Sequence, residues 1–163
     1  MEKRKETTKG FTLIELMITL VIAIVVLSLG IPGIARLKQS SELTTVTNDL
    51  IAAMSLARSE AIKRSGNTTF TPVGGSWNNG WEIRVAGSDT LVRVFEAPPA
   101  GTSVTSTVSP VTFDAMGSLA ANACFDVAIV SGIDKVRSVP ISTTGRMTSC
   151  KVKCSDIAPG VCN

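Results

Sequence analysis

One unbroken apolar segment near the N-terminus limits what this chain can fold into. From Phe11 to Ala35 the sequence runs through twenty-five residues, and Glu15 is the only charged residue among them. As an α-helix this segment is about 37 Å long, whereas the hydrocarbon core of a bilayer is about 30 Å thick. The segment therefore predicts a transmembrane helix whose lone carboxylate needs a partner, because a charge in lipid is unfavourable.

The residues on either side of this segment predict its orientation and its processing. Four basic residues precede it and two follow it, which favours a cytoplasmic N-terminus and places the rest of the chain outside the cytoplasm. An ordinary secretory signal has small residues at a cleavage site after its apolar run. Here the small residue Gly10 comes before the run, so a leader over residues 1–10 can be removed while the helix over residues 11–35 is retained.

The residues from Gly10 to Leu16, Gly-Phe-Thr-Leu-Ile-Glu-Leu, resemble the type IV prepilin signal. In that family a membrane-embedded prepilin peptidase cuts after the glycine and methylates the new N-terminal amine. The resemblance implies cleavage between Gly10 and Phe11, N-methylation of Phe11, and a role for Glu15 in setting register during filament assembly. A carboxylate in the first helical turn also suits the helix dipole and lies near that amine. The alternative interpretation is a plain single-pass anchor.

The far end of the apolar segment contains Gly30, Pro32 and Gly33. A proline inside a helix removes a backbone donor and clashes with the preceding turn, so we expect a helix kink at Pro32. Such a kink is either a tolerated proline or a joint used when the subunit leaves the bilayer, and the sequence leaves both open.

An amphipathic helix half is predicted over residues 36–66. Apolar residues recur there at spacings of three and four, which places them on one face that packs against a sheet. They are Leu43, Val46, Leu50, Met54, Ala57 and Ala61. The helix is expected to end near Ser65, with Gly66 taking the left-handed position after it.

Residues 67–163 predict a β-rich head with a tail tied by disulfides. Alternating apolar residues and turn residues mark the strands and two hairpins. The expected strands are Thr68–Pro72, Trp81–Ala86, Thr90–Phe95, Thr102–Val108, Val111–Asp114, Cys124–Val130 and Val136–Ser142. The helix and strands predict the α+β fold class, and the resemblance to type IV prepilins implies the type IV pilin fold, a long N-terminal helix packed on antiparallel sheets.

The four cysteines, Cys124, Cys150, Cys154 and Cys162, predict two disulfides, because an even number in a translocated domain favours pairing. Three pairings are possible, and we favour Cys124 with Cys150 and Cys154 with Cys162. A zinc site is the alternative, although the Cys-x-x-x-Cys spacing and the oxidising compartment favour disulfides over it.

The composition argues against an enzyme. The chain has no His and no Tyr, and it contains no phosphate-binding glycine loop and no nucleophile signature. We therefore expect a structural protein with no catalytic residue, no cofactor and no metal. A formal net charge of +3 does not suggest general nucleic-acid binding.

Further segments resemble the GspH/FimT/FimU group of minor pilins. They are Leu56–Ile62, Trp77-x-x-Gly80-Trp81, Phe113-Asp114-x-x-Gly117 and Thr144-Gly145-Arg146. For Trp77 and Trp81 we expect core packing rather than ligand stacking. The resemblance implies a minor pilin that primes a type IV pilus, with a GspH-like pseudopilin of a type II secretion system as the alternative. Implied partners are other pilins, the prepilin peptidase, the inner membrane during assembly and a tip adhesin.

A third interpretation is DNA capture for natural transformation. FimT-like members bind DNA through a basic C-terminal region with a Gly-Arg-x-Arg motif, and here the second Arg is missing after Gly145-Arg146. The candidate DNA contacts are Arg137, Arg146, Lys151 and Lys153. Phosphate contacts need clustered cations, whereas scattered Lys and Arg are usually a solvated surface.

Overall fold

The computed structural model describes residues 10–130, 135–157 and 162. In this part of the chain a single long helix, α1 (Leu13–Arg64), precedes seven strands. The strands are β1 (Thr68–Pro72), β2 (Trp81–Val85), β3 (Thr90–Phe95), β4 (Thr102–Ser106), β5 (Val111–Phe113), β6 (Ala123–Ile129) and β7 (Val136–Ile141). Short 3-10 turns lie at Val73–Gly75, Trp77–Asn79 and Cys154–Asp156. The predicted α+β class and the predicted strands are confirmed, with bounds that differ by at most two residues.

The strands form two antiparallel sheets. The first has the order β3-β2-β1-β5, and the second has the order β4-β6-β7. Both predicted hairpins are present as the pairs β2–β3 and β6–β7. Most of the connection predicted for the second hairpin, Ser131–Lys135, lies outside the described residues. The chain divides into two compact units between Lys38 and Gln39.

Within the second unit, the C-terminal half of α1 supplies the centre of the core. All six residues of the predicted apolar stripe are at most 2 % exposed. The sheets contribute the other large, fully buried apolar side chains, which are Phe70, Ile83, Val111, Phe113, Phe125, Val127, Val139 and Ile141. Fully burying one such side chain contributes about 1.5–3 kcal/mol, so this interior holds the helix half on the sheets.

The helix ends where the sequence predicts, but with a different residue in the left-handed position. Ser65 has φ = 50°, and Gly66 is not among the residues with positive φ. The amide of Gly66 donates to the carbonyl oxygen of Ala61 (3.1 Å), and the amide of Ser65 donates to that of Ile62 (3.1 Å). The expectation that Gly66 is left-handed is therefore wrong, since Ser65 makes the turn that satisfies the last helical carbonyls.

Two disulfides are present, as predicted, but the favoured pairing is wrong. Cys124 pairs with Cys154 (Cα–Cα 6.0 Å), and Cys150 pairs with Cys162 (Cα–Cα 5.2 Å). No cysteine among the described residues is free, so no thiolate is left for the alternative zinc site.

Strand β7 is the physical reason for this pairing. Cys124 on β6 lies opposite Pro140 on one side of β7, whereas Cys150 lies opposite Ser138 on the other side. Two inter-strand spacings of about 4.8 Å place Cys124 and Cys150 farther apart than the roughly 7 Å limit for a disulfide. The tail instead folds back over β6, where the amide of Cys154 donates to Asp126 Oδ1 (2.8 Å).

Candidate functional site

The predicted processing site lies just before the start of α1. Gly10, Phe11 and Thr12 precede the first helical residue, Leu13. Gly10 is exposed, no heavy atom lies within 4 Å of the place where a Cβ at this position would be, and Phe11 is 82 % exposed. The Gly10–Phe11 bond is therefore in accessible, non-helical backbone, which is the form that a peptidase requires.

Glu15 lies in the first turn of α1, as predicted. The amide of Glu15 donates to Thr12 Oγ1 (3.3 Å), and the amide of Leu16 donates to the Thr12 carbonyl oxygen (3.2 Å). Thr12 thus caps the helix, and Glu15 occupies the third helical position. This arrangement places the carboxylate beside unpaired backbone N–H groups, where an anion is stabilised.

Exposed apolar side chains surround Glu15 on α1. Each large apolar residue from Leu13 to Leu27 is between 52 and 79 % exposed. Within the described residues, no helix was found whose length and apolar character suit a membrane crossing. The predicted single-pass topology is therefore not confirmed and stays a prediction.

The predicted kink at Pro32 also stays a prediction. The helical assignment of α1 continues through this position. The side chains of Pro32 and its neighbours Leu29–Gly33 lie outside the described part of the chain.

Sequence reasoning missed a cluster around Arg58. From α1, Arg58 Nε donates to the carbonyl oxygen of Gly117 (2.9 Å), and Arg58 Nη2 donates to that of Thr144 (3.0 Å). These contacts bring together three segments that are far apart in the sequence. They tie the helix to the loop after β5 and to the turn after β7.

Two glycines make room for the Arg58 side chain. Gly117 (φ = 76°) and Gly145 (φ = 74°) are both left-handed, and a Cβ on either would lie 2.8 Å from Arg58 Nε. Asp114 Oδ1 shapes the first loop by accepting from the amides of Met116 (2.9 Å) and Ser118 (2.8 Å). The sequence signals for this cluster were the family-like segments that contain Arg58, Gly117 and Gly145, but nothing in them showed that the three meet.

Trp77 and Trp81 pack in the core, as expected. The ring of Trp77 lies 4.8 Å from that of Phe125 and 5.2 Å from that of Phe70. Phe125 is on the second sheet and Phe70 on the first, so Trp77 joins the two sheets. Aromatic pairs of this kind contribute about 0.5–1.5 kcal/mol beyond their buried area.

The candidate DNA contacts do not all line the same pocket. Arg137 and Lys151 line one pocket, and Arg146 lines another beside the Cys124–Cys154 disulfide. Lys153 lines neither pocket and precedes the turn Cys154–Asp156. The structure does not gather the four cations into one pocket, and their contact with DNA stays a prediction.

The comparisons with known proteins agree with this geometry. The model of the family described as type II transport protein GspH matches residues 46–145, and the model of the prokaryotic N-terminal methylation motif matches residues 7–31. The chain belongs to the GspH family. The first match contains Arg58, both tryptophans, Gly117 and Gly145, and the second contains Gly10, Phe11 and Glu15.

Solved structures show the same fold as this GspH-family chain. A crystal structure of the type IV minor pilin FimU from Pseudomonas aeruginosa strain PAO1 has 25 % identity and a TM-score of 0.60, covering 76 % of this chain and 97 % of FimU. A second crystal form of FimU has 24 % identity and a TM-score of 0.58, covering 74 % of this chain and 100 % of that chain. No curated protein sequence matches significantly.

The family and the fold together identify the kind of protein. The chain is a minor pilin of the GspH/FimT/FimU type with the type IV pilin fold, and such proteins are structural subunits, not enzymes. With its N-terminal methylation motif, it is membrane-anchored and then associated with a pilus.

Proposed function

We propose that this minor pilin primes assembly of a type IV pilus and is incorporated near the pilus tip. In this proposal a prepilin peptidase cuts between Gly10 and Phe11 and methylates Phe11, and the mature subunit waits in the inner membrane with its head in the periplasm. Its partners are the major pilin and other minor pilins. A tip position also brings it next to a tip adhesin, and the pilus then serves twitching motility, adhesion or DNA uptake.

The observation that carries this proposal is the position of Glu15. Its carboxylate stands in the first turn of α1, four residues after Phe11, among side chains that are exposed and apolar. When such helices pack side by side, the apolar side chains are covered and a carboxylate left without a cation is strongly unfavourable. The N-terminal amine of a neighbouring subunit supplies that cation and thereby sets the register.

The test is the variant Glu15→Val, with Glu42→Val as a matched control elsewhere on α1. We expect Glu15→Val to be cleaved and retained in the membrane but to be depleted from sheared pili at least about tenfold, as loss of a charge pair in an apolar setting implies. Immunoblots of sheared-pilus and membrane fractions measure the distribution, and the mass of the membrane form reports cleavage. Normal incorporation of Glu15→Val would remove the basis of the proposal.

The second candidate function is a minor pseudopilin of a type II secretion system. The description of the matched family, type II transport protein GspH, favours it. Deleting the gene separates the two: loss of surface pili with normal secretion supports the pilus, and loss of secretion with normal pili supports the pseudopilus. Flanking genes for other prepilins or for secretion components give the same distinction.

A further inference from the structure

A basic pocket of about 280 Å³ lies between α1 and β7 in the unit that begins at Gln39. Its described lining residues are Ser40, Leu43, Lys135, Val136, Arg137 and Lys151. Three of the six are cations, and none of the six is acidic. The pocket therefore concentrates positive charge beside a serine hydroxyl.

The fold holds two of these cations close together. The amide of Ser138 donates to the carbonyl oxygen of Cys150 (3.0 Å), and the amide of Cys150 donates to the carbonyl oxygen of Ser138 (2.8 Å). Arg137 and Lys151 are the residues next to this bridge, and both side chains line the same pocket. Like charges in this position repel each other, and the disulfide from Cys150 to Cys162 holds the segment in place nonetheless.

We propose that this pocket binds the phosphate group of an anionic phospholipid while the subunit is anchored in the membrane. Lys and Arg are the side chains that bind phosphate best, and a bound phosphate offsets the repulsion between Arg137 and Lys151. Ser40, on the helical wall of the pocket, comes only five residues after Ala35, where the apolar segment ends. Clusters of Lys and Arg that are close to a membrane segment in the sequence bind anionic lipid headgroups.

This inference rests on the membrane-anchored stage of the proposed function. Release of the subunit into a filament then requires that the headgroup leave the pocket. The bound lipid therefore helps to retain the subunit in the membrane through a contact with its head.

Lysine footprinting of the full mature chain tests the proposal. The protein is purified in a neutral maltoside detergent and acetylated briefly, and the acetylation of each lysine is measured by mass spectrometry. Parallel samples receive phosphatidylglycerol, phosphatidylcholine, inorganic phosphate or a single-stranded oligonucleotide. Lys153 is the internal control, because it is exposed in the same tail segment and does not line the pocket.

We expect phosphatidylglycerol to lower the acetylation of Lys135 and Lys151 severalfold and to leave Lys153 unchanged. The variant Arg137→Gln should lose this protection, whereas Lys153→Gln should keep it. If Arg137→Gln fails to fold, the acetylation of the unsubstituted protein with the different additions decides whether the pocket binds the lipid.

Three results would overturn the proposal. They are equal acetylation with and without phosphatidylglycerol, equal protection by inorganic phosphate, and protection by the oligonucleotide alone. The second would indicate a free-anion site and the third a nucleic-acid contact. None depends on pilus incorporation, so failure here is distinguishable from failure of the Glu15 experiment.

Discussion

Leu20 and Leu50 lie in the same helix, α1, and differ in what surrounds them. Leu20 is 55 % exposed, whereas Leu50 is completely buried. The half of α1 that contains Leu50 packs on the sheets of its own chain, and the half that contains Leu20 exposes apolar side chains along its described length. Burial of apolar surface drives both folding and association. The half that contains Leu50 therefore stabilises the head, and the half that contains Leu20 is left to bind other molecules.

Replacing each of these two leucines by alanine should give the largest difference between the two halves of α1. Leu50→Ala removes fully buried methyl groups, so we expect the free energy of unfolding of the head to fall by about 2–5 kcal/mol. Leu20→Ala should leave it unchanged. Denaturant unfolding of the full chain in neutral detergent, followed by fluorescence of the buried Trp77 and Trp81, measures both. Equal destabilisation by the two variants would contradict the division of α1 into two roles.

The disulfides should sharpen the comparison, because both are confined to the head. Replacing Cys124 and Cys154 by Ser should lower the free energy of unfolding by about 2–4 kcal/mol. Replacing Cys150 and Cys162 should lower the free energy of unfolding by about 1 kcal/mol less. These two cysteines are 12 residues apart in the sequence, whereas Cys124 and Cys154 are 30 residues apart.

The same denaturant curves measure these two variants. We expect normal processing at Gly10 in both, because Gly10 and the four cysteines belong to different compact units of the chain. If either cysteine variant were cleaved poorly at Gly10, processing of the N-terminal segment would depend on the head, which would contradict this account.

The Arg58 cluster should give a smaller effect. Arg58→Ala leaves the carbonyl oxygens of Gly117 and Thr144 without their donor, so we expect a loss of about 1–3 kcal/mol. The control is Arg64→Ala, six residues later on α1, where Arg64 Nε lies 2.7 Å from Glu60 Oε2. This hydrogen bond lowers the pKa of Glu60, but the pair is at the surface and contributes little. A larger effect from Arg64→Ala would argue against the Arg58 contacts as the tie between helix and loops.

Periodic patterns in the sequence predicted what depends on local geometry. The stripe from Leu43 to Ala61 follows from spacings of three and four, and strand β2 follows from a spacing of two, which any helix or strand imposes. The first helical turn with Glu15 follows from the prepilin-like motif. These features need no knowledge of which distant segments meet.

What the sequence did not predict depends on contacts between distant segments. Arg58 meets Gly117 and Thr144 across separations of 59 and 86 residues. The predicted disulfide pairing was wrong because the actual pairing depends on the side of β7 on which each cysteine lies. The basic pocket likewise needs the register of Ser138 with Cys150, which spacing along the chain does not reveal.

The mass of the mature protein, purified from its native membrane or pilus, tests the central claim most directly. We predict a chain of residues 11–163 that begins with N-methylated Phe11, carries two disulfides and retains the whole apolar segment. A product that keeps Met1, or one that is cut after Ala35, would contradict the account of a processed filament subunit.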